Sequence, residues 1–185
     1  GTNSLLDIVV FGRRGGKAIV DFLKTAEFSE IKTKPEEKTK EQISKVLSNK
    51  GSEKVYALRT ELQEWMMDKC GIFRNEADLK AMIVKLGEIK ERFKNIEIQD
   101  KGKIFNTDLM EAIELENLIY NAEATVYSAL NRNESRGAHT REDFPNRDDK
   151  NWMNHTFIYK NDEGDPKITL KPVTVVRYQP MERKY

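Results

Sequence analysis

A single cysteine, Cys70, leaves nothing to cross-link within the chain, so an internal disulfide is excluded and a reducing compartment is the simpler setting. Long apolar runs are missing as well. No stretch approaches the roughly 20 apolar residues that a spanning helix needs, and no basic segment followed by an apolar one marks a signal peptide at the start. Charge of one sign is absent: 32 Lys+Arg against 31 Asp+Glu leave a formal net charge of +1. That balance supplies no field to steer nucleic acid or an anionic membrane. The two histidines and one cysteine show no metal-ligand spacing, so no metal site is expected. There is no P-loop, no G-x-G-x-x-G after a strand and no nucleophile elbow. Trp65 and Trp152 lack a basic, aromatic-interleaved surface, which argues against nucleic-acid binding.

What is present is enough for one core with a wet remainder: 185 residues, 38% hydrophobic and 34% charged. Apolar spacing predicts a first helix over residues 4–25, capped by Asn3 or Ser4, with Leu5, Ile8, Val9, Ile19 and Leu23 on one face. Gly12, Gly15 and Gly16 interrupt it, each at a cost of about 1 kcal/mol against Ala, and mark a place where another backbone comes close. Residues 30–54 mix both signs of charge and read as an exposed connector with one short helix around Ile43, Val46 and Leu47.

Three longer helices follow. The first carries Val55, Leu58, Leu62, Trp65 and Met66 and is expected to stop at Gly71 as a left-handed C′ residue, with Ile72 folding back on Met67. The second is capped by Asn75, with Glu76 and Asp78 in its first turn and a stripe of Leu79, Met82, Ile83, Leu86, Ile89 and Phe93. The third spans 107–131. It is apolar on one side through Ile113, Ile119, Ala122 and Val126, and on another through Met110, Tyr120, Ala124 and Tyr127, so it should be central. Short links make this an antiparallel, spectrin-repeat-like three-helix bundle in a mainly α fold. Residues 132–150 are densely charged and neutral overall. A small β-hairpin (155–159, turn 161–166, 167–170) and an irregular tail close the chain. The expected divisions are 1–29, 30–52, 53–133 and 134–185.

A helix start such as Asn3-Ser4-Leu5 offers unpaired N–H donors and about half a positive charge, a ready-made place for an anion. Arg136, His139 and Arg141 look catalytic by residue type, but their balanced surroundings favour a loop pinned by ion pairs against another domain, bracing the first helix from behind.

Gly1-Thr2-Asn3-Ser4-Leu5-Leu6-Asp7, running into Ile8-Val9-Val10-Phe11-Gly12-Arg13, resembles the flavin-contacting helix start of the succinate dehydrogenase and fumarate reductase flavoprotein subunits. Glu134-Ser135-Arg136-Gly137-Ala138-His139, then Arg141-Glu142-Asp143-Phe144-Pro145 and Arg147-Asp148-Asp149 before Asn151-Trp152, resembles the same family in the same order. So do Cys70-Gly71-Ile72-Phe73-Arg74 and Phe105-Asn106-Thr107-Asp108-Leu109. The run from Phe144 to Asp149, with Trp152 and His155, is more similar to succinate dehydrogenase than to fumarate reductase; L-aspartate oxidase has a similar bundle.

The resemblance implies the C-terminal third of an FAD enzyme that interconverts succinate and fumarate and passes electrons to an iron–sulfur subunit and quinone. Membrane-anchor subunits would be indirect partners. The position implied is peripheral, on the cytoplasmic face of a bacterial inner membrane or the matrix side of the mitochondrial one. Asn3, Ser4 and Leu5 match backbone positions that hold the isoalloxazine. The substrate-gripping and proton-donating arginines, the phosphate-binding strand and the FAD-linking histidine belong to upstream sequence. The chain is therefore expected to hold no catalytic residue, to be inactive alone and to retain no FAD. The first helix is expected to be mobile, or packed on another copy, in the isolated chain. A reading of another class is a stand-alone helical interaction module.

Overall fold

The protein is described by a computed structural model covering residues 4–161 and 164–181. Asn3, and Asp162 and Glu163 of the expected hairpin turn, lie outside the described residues. The elements in order are α1 (Ser4–Leu23), α2 (Pro35–Ser48), α3 (Val55–Lys69), β1 (Phe73–Arg74), α4 (Glu76–Phe93), α5 (Thr107–Asn131), β2 (Thr140–Arg141), α6 (Asp149–Trp152), β3 (Asn154–Tyr159) and β4 (Lys167–Pro172). The chain divides into two compact units at Thr39 and Lys40.

In the first unit α1 runs unbroken through its three glycines, and none of its residues is buried. A Cβ added at Gly12, Gly15 or Gly16 would meet nothing within 4 Å. α2 starts with Pro35 as its first helical residue and Glu36 and Glu37 in its first turn, where a missing N–H and negative charge suit a helix start.

The second unit is built on α3, α4 and α5. Its buried rows are Val55, Leu58 and Leu62 on α3, then Leu79, Met82, Leu86 and Ile89 on α4. α5 contributes Ala112, Leu115, Ile119, Ala122, Val126 and Ala129. Alternating steps of three and four are the heptad spacing that lets helices pack along a narrow seam. Ion pairs fix the sense of packing: Lys69–Asp78 at 3.0 Å, Lys85–Glu61 at 3.2 Å and Arg92–Glu53 at 2.9 Å climb one helix while descending the other. α3 and α4 are therefore antiparallel. Each α4 and α5 start is capped by an asparagine: Asn75 accepts from the Asp78 N–H at 2.9 Å and Asn106 from the Leu109 N–H at 2.7 Å. Asn106 is also buried and donates to the carbonyls of Asp100 and Gly102, so it holds the α4–α5 loop as well.

Three expectations are corrected. Gly71 is not left-handed; only Gly137 and Gly164 have positive φ among the described glycines. Instead Arg74 Nε donates to the Gly71 carbonyl at 2.8 Å and the Cys70 carbonyl at 3.3 Å. A side chain thus satisfies the end of α3 that a Schellman turn would have satisfied, and Ile72 and Met67 stay exposed. On α5, Ile113 is only half-buried and Met110 is exposed, because the seam passes through Ala112 and Leu115. The stretch after α2 is not a free connector. Asn49 donates to the Lys94 and Ile96 carbonyls at 3.0 and 2.7 Å, and Glu53 exchanges backbone bonds with Asn95 and Glu97. A Cβ at Gly51 would lie 1.7 Å from the Asn95 carbonyl oxygen, so only glycine permits this approach.

β3 and β4 pair antiparallel, with Asn154 opposite Pro172 and Tyr159 opposite Lys167. Asn154, Thr156 and Ile158 turn inward and are half-buried, while His155, Phe157 and Tyr159 face out. Tyr127 of α5 donates to Asp165 at 2.5 Å, tying the hairpin to the bundle. Past β4 the described chain has no regular structure.

Candidate functional site

The densely charged segment is folded around two buried ions. Arg141 is 1% exposed. Its Nη1 donates to the carbonyls of Ala129 and Leu130 at 3.1 and 3.2 Å, acceptors left over in the last turn of α5. Its Nε and Nη2 make a fork with Asp143 at 2.7 and 2.8 Å. Asp143 in turn accepts the Glu76 N–H at 2.9 Å, at the start of α4. The pair therefore joins the C-terminal end of α5 to the N-terminal end of α4. The hydrogen bonds from Arg141 hold the Asp143 carboxyl down at about 2.

Glu134, 0% exposed, is the second ion. Arg132 donates to it at 2.5 Å, Arg136 at 2.8 and 3.0 Å, and the Asp148 N–H at 2.8 Å. Burial pushes its carboxyl up, but these donors together outweigh burial and hold it below the usual range. Arg136 also reaches Asp149 at 2.7 Å. Between Arg136 and His139 the backbone exchanges bonds of 2.8 and 3.0 Å in both directions across Gly137 and Ala138. Gly137 has φ +61, as the first central residue of such a tight turn requires.

His139 sits between the Arg74 guanidinium and the Arg132 backbone carbonyl. Arg74 Nη1 lies 3.1 Å from Nδ1 and the Arg132 carbonyl 3.1 Å from Nε2, which suits a neutral ring donating from Nε2. Burial first, then Arg74, Arg141 and Arg132, push its pKa down. This is the opposite of a proton carrier poised at neutral pH. β1 and β2, a parallel pair with Phe73 opposite Thr140 and Arg74 opposite Arg141, bring Arg74 to this ring.

The structure thus brings Arg136, His139 and Arg141 into one clamp whose polar atoms bond inward. Ser4 and Leu5 begin α1, in the other unit, and Leu5 is exposed. Four residues that complete the clamp were not singled out as site residues from the sequence: Arg74, Arg132, Glu134 and Asp143. Alternating signs were the visible signal, but burial of Glu134 and a two-residue parallel ladder leave no periodic trace. Among the described residues no group of three His, Cys, Asp or Glu could hold a metal, and no helix is long and apolar enough to cross a membrane.

A family model described as fumarate reductase flavoprotein C-term matches residues 59–185. The succinate dehydrogenase flavoprotein subunit of Rickettsia conorii (strain ATCC VR-613 / Malish 7) is 42% identical over 176 residues, covering 95% of this chain and 30% of that protein. The fumarate reductase flavoprotein subunit of Proteus vulgaris is 39% identical over 192 residues, covering 100% of this chain and 32% of that protein. Among solved structures, E. coli quinol fumarate reductase matches with a TM-score of 0.86 at 33% identity, over 98% of this chain and 32% of that one. The chain therefore spans about 30% of the length of the curated relatives it matches.

Proposed function

The chain belongs to the fumarate reductase flavoprotein C-terminal family, and from that premise we propose that it is the C-terminal part of a succinate dehydrogenase flavoprotein subunit. The parent enzyme would convert succinate to fumarate with FAD and pass electrons through an iron–sulfur subunit to quinone. Membrane-anchor subunits would hold that complex on the cytoplasmic face of a bacterial membrane or the matrix side of a mitochondrial one.

The observation that carries the cofactor reading is α1. A 20-residue helix that starts at Ser4 and buries none of its residues places the positive end of its dipole at Ser4 and Leu5. Backbone N–H groups in the first turn of a helix lie outside its own ladder, and donors of that kind fit the polar edge of an electron-rich ring. Gly12, Gly15 and Gly16 leave open space where a Cβ would stand, which suits close approach by a neighbouring surface. When bound, FAD supplies the hydride acceptor. The chain's own part is to present donors from α1, while Arg136, His139 and Arg141 hold the clamp of the second unit in shape.

Dehydrogenation of succinate, rather than reduction of fumarate, is favoured by Phe144, Pro145 and the Arg147-Asp148-Asp149 run before Trp152. The intact complex decides: succinate oxidation with quinone should run faster than fumarate reduction with quinol, and the reverse ratio would assign a fumarate reductase. This chain alone, mixed with FAD and succinate, should bind no flavin and turn nothing over. In the intact enzyme, Arg136→Ala should lower flavin content or turnover; no change in either would remove the bracing role.

A further inference from the structure

Beyond the clamp, a cleft of about 570 Å³ lies between the second half of α5 and β3. Two arginines and two histidines line it, with five neutral polar side chains, and no carboxylate does among the described residues. In a chain with 32 basic and 31 acidic residues that local imbalance is unusual.

Arg74 is one of the two arginines in its lining. The side chain is half-buried, and every acceptor it has is neutral: the Cys70 and Gly71 carbonyls on Nε and His139 on Nη1. Nη2 has no acceptor among the described residues. A partly desolvated guanidinium with no counter-charge is costly to keep, and a carboxylate or phosphate oxygen is the partner its fork geometry matches. Arg132 differs, since Glu134 already neutralises it. The same cleft is lined by Ser128, whose hydroxyl has no described partner, and by Asn154 and Thr156.

We propose that this cleft is a binding site for a small oxyanion, a carboxylate or phosphate, with Arg74 as its principal partner and Ser128 as a second donor. The site lies within the second unit and stands independently of the flavin reading.

The test is titration of this chain with citrate and with inorganic phosphate, followed by NMR at constant ionic strength, with sodium chloride as control. Saturable shifts at the Arg74 Nε–H and at the amides of Ser128 and Thr156 are expected for at least one oxyanion and not for chloride. The arm that saturates names the ligand class. Ser128→Ala, which removes no described bond, should weaken binding by about tenfold, the effect of one hydrogen bond to a charged group. Arg74→Gln should abolish it, with further spectral changes at Cys70, Gly71 and His139, the groups this side chain bonds. Failure to saturate by about 10 mM, well above a 1 mM Kd, would overturn the site. So would equal shifts with chloride, or unchanged affinity in Ser128→Ala.

Discussion

Glu134 shows how a buried ion is kept charged: two guanidiniums and one backbone N–H surround a carboxylate with no solvent contact. Such a group tolerates no loss of its place in the network. Glu134→Ala would leave Arg132 and Arg136 without their shared counter-ion and should destabilise the fold by about 3–5 kcal/mol. Urea unfolding measures it, and a loss below about 1 kcal/mol, the scale of an exposed pair, would mean the ion pairs are solvent-screened. Gly51 is a different kind of residue-scale constraint. Its added Cβ would fall 1.7 Å from a backbone oxygen that cannot swing aside. Gly51→Ala should therefore break the backbone bonds of Glu53 with Asn95 and Glu97 and lower stability by more than the few tenths of a kcal/mol ordinary for a surface change. Retention of wild-type amide protection at Glu53 and Glu97 would contradict this.

At the scale of elements, the helix ends are finished by distant side chains. The last turn of α5 uses Arg141, the end of α3 uses Arg74, and the start of α4 uses Asp143 as well as its own Asn75. These contacts depend on protonation. His139 has a folded pKa below its ordinary 6.5. Between those two values the unfolded chain binds a proton that the folded chain refuses. Stability is therefore full above about 6.5 and falls as pH drops through the lower folded value. Asp143 acts in the same direction further down, from 3.8 toward about 2. Thermal unfolding across about pH 2 to 8, a range that takes in both windows, should show two steps of lost stability. His139→Gln should flatten the upper step and leave the lower; persistence of the upper step would assign it to another group.

For the whole molecule, α1 is the feature that sets behaviour in solution. Leu5, Ile8, Val9 and Phe22 are all more than half exposed, and contiguous apolar surface of this kind drives association. The isolated chain should self-associate with rising concentration, and Leu5→Glu with Val9→Glu should return it toward monomer. Analytical ultracentrifugation with hydrogen exchange reads both. Strongly protected amides between Leu5 and Phe11 in a proven monomer would show that the chain covers its own helix.

Much of the architecture was legible because it is periodic. The steps of three and four in Leu79, Met82, Leu86 and Ile89, the asparagine cap at 75 and the strand run from His155 to Tyr159 are local patterns, and local patterns specify elements. The resemblance carried by residues 134–152 identified the family for the same reason, since it depends on residue order alone. Tertiary structure alone decided the rest. That Gly71 needs no left-handed turn, that Gly51 lies against Asn95, and that Arg74 meets both His139 and an acid-free cleft all follow from residues far apart in sequence. Burial is what turns a neutral string of alternating charges into a clamp around Glu134 and Arg141, and burial is a property of what packs on top, which no single stretch of sequence encodes.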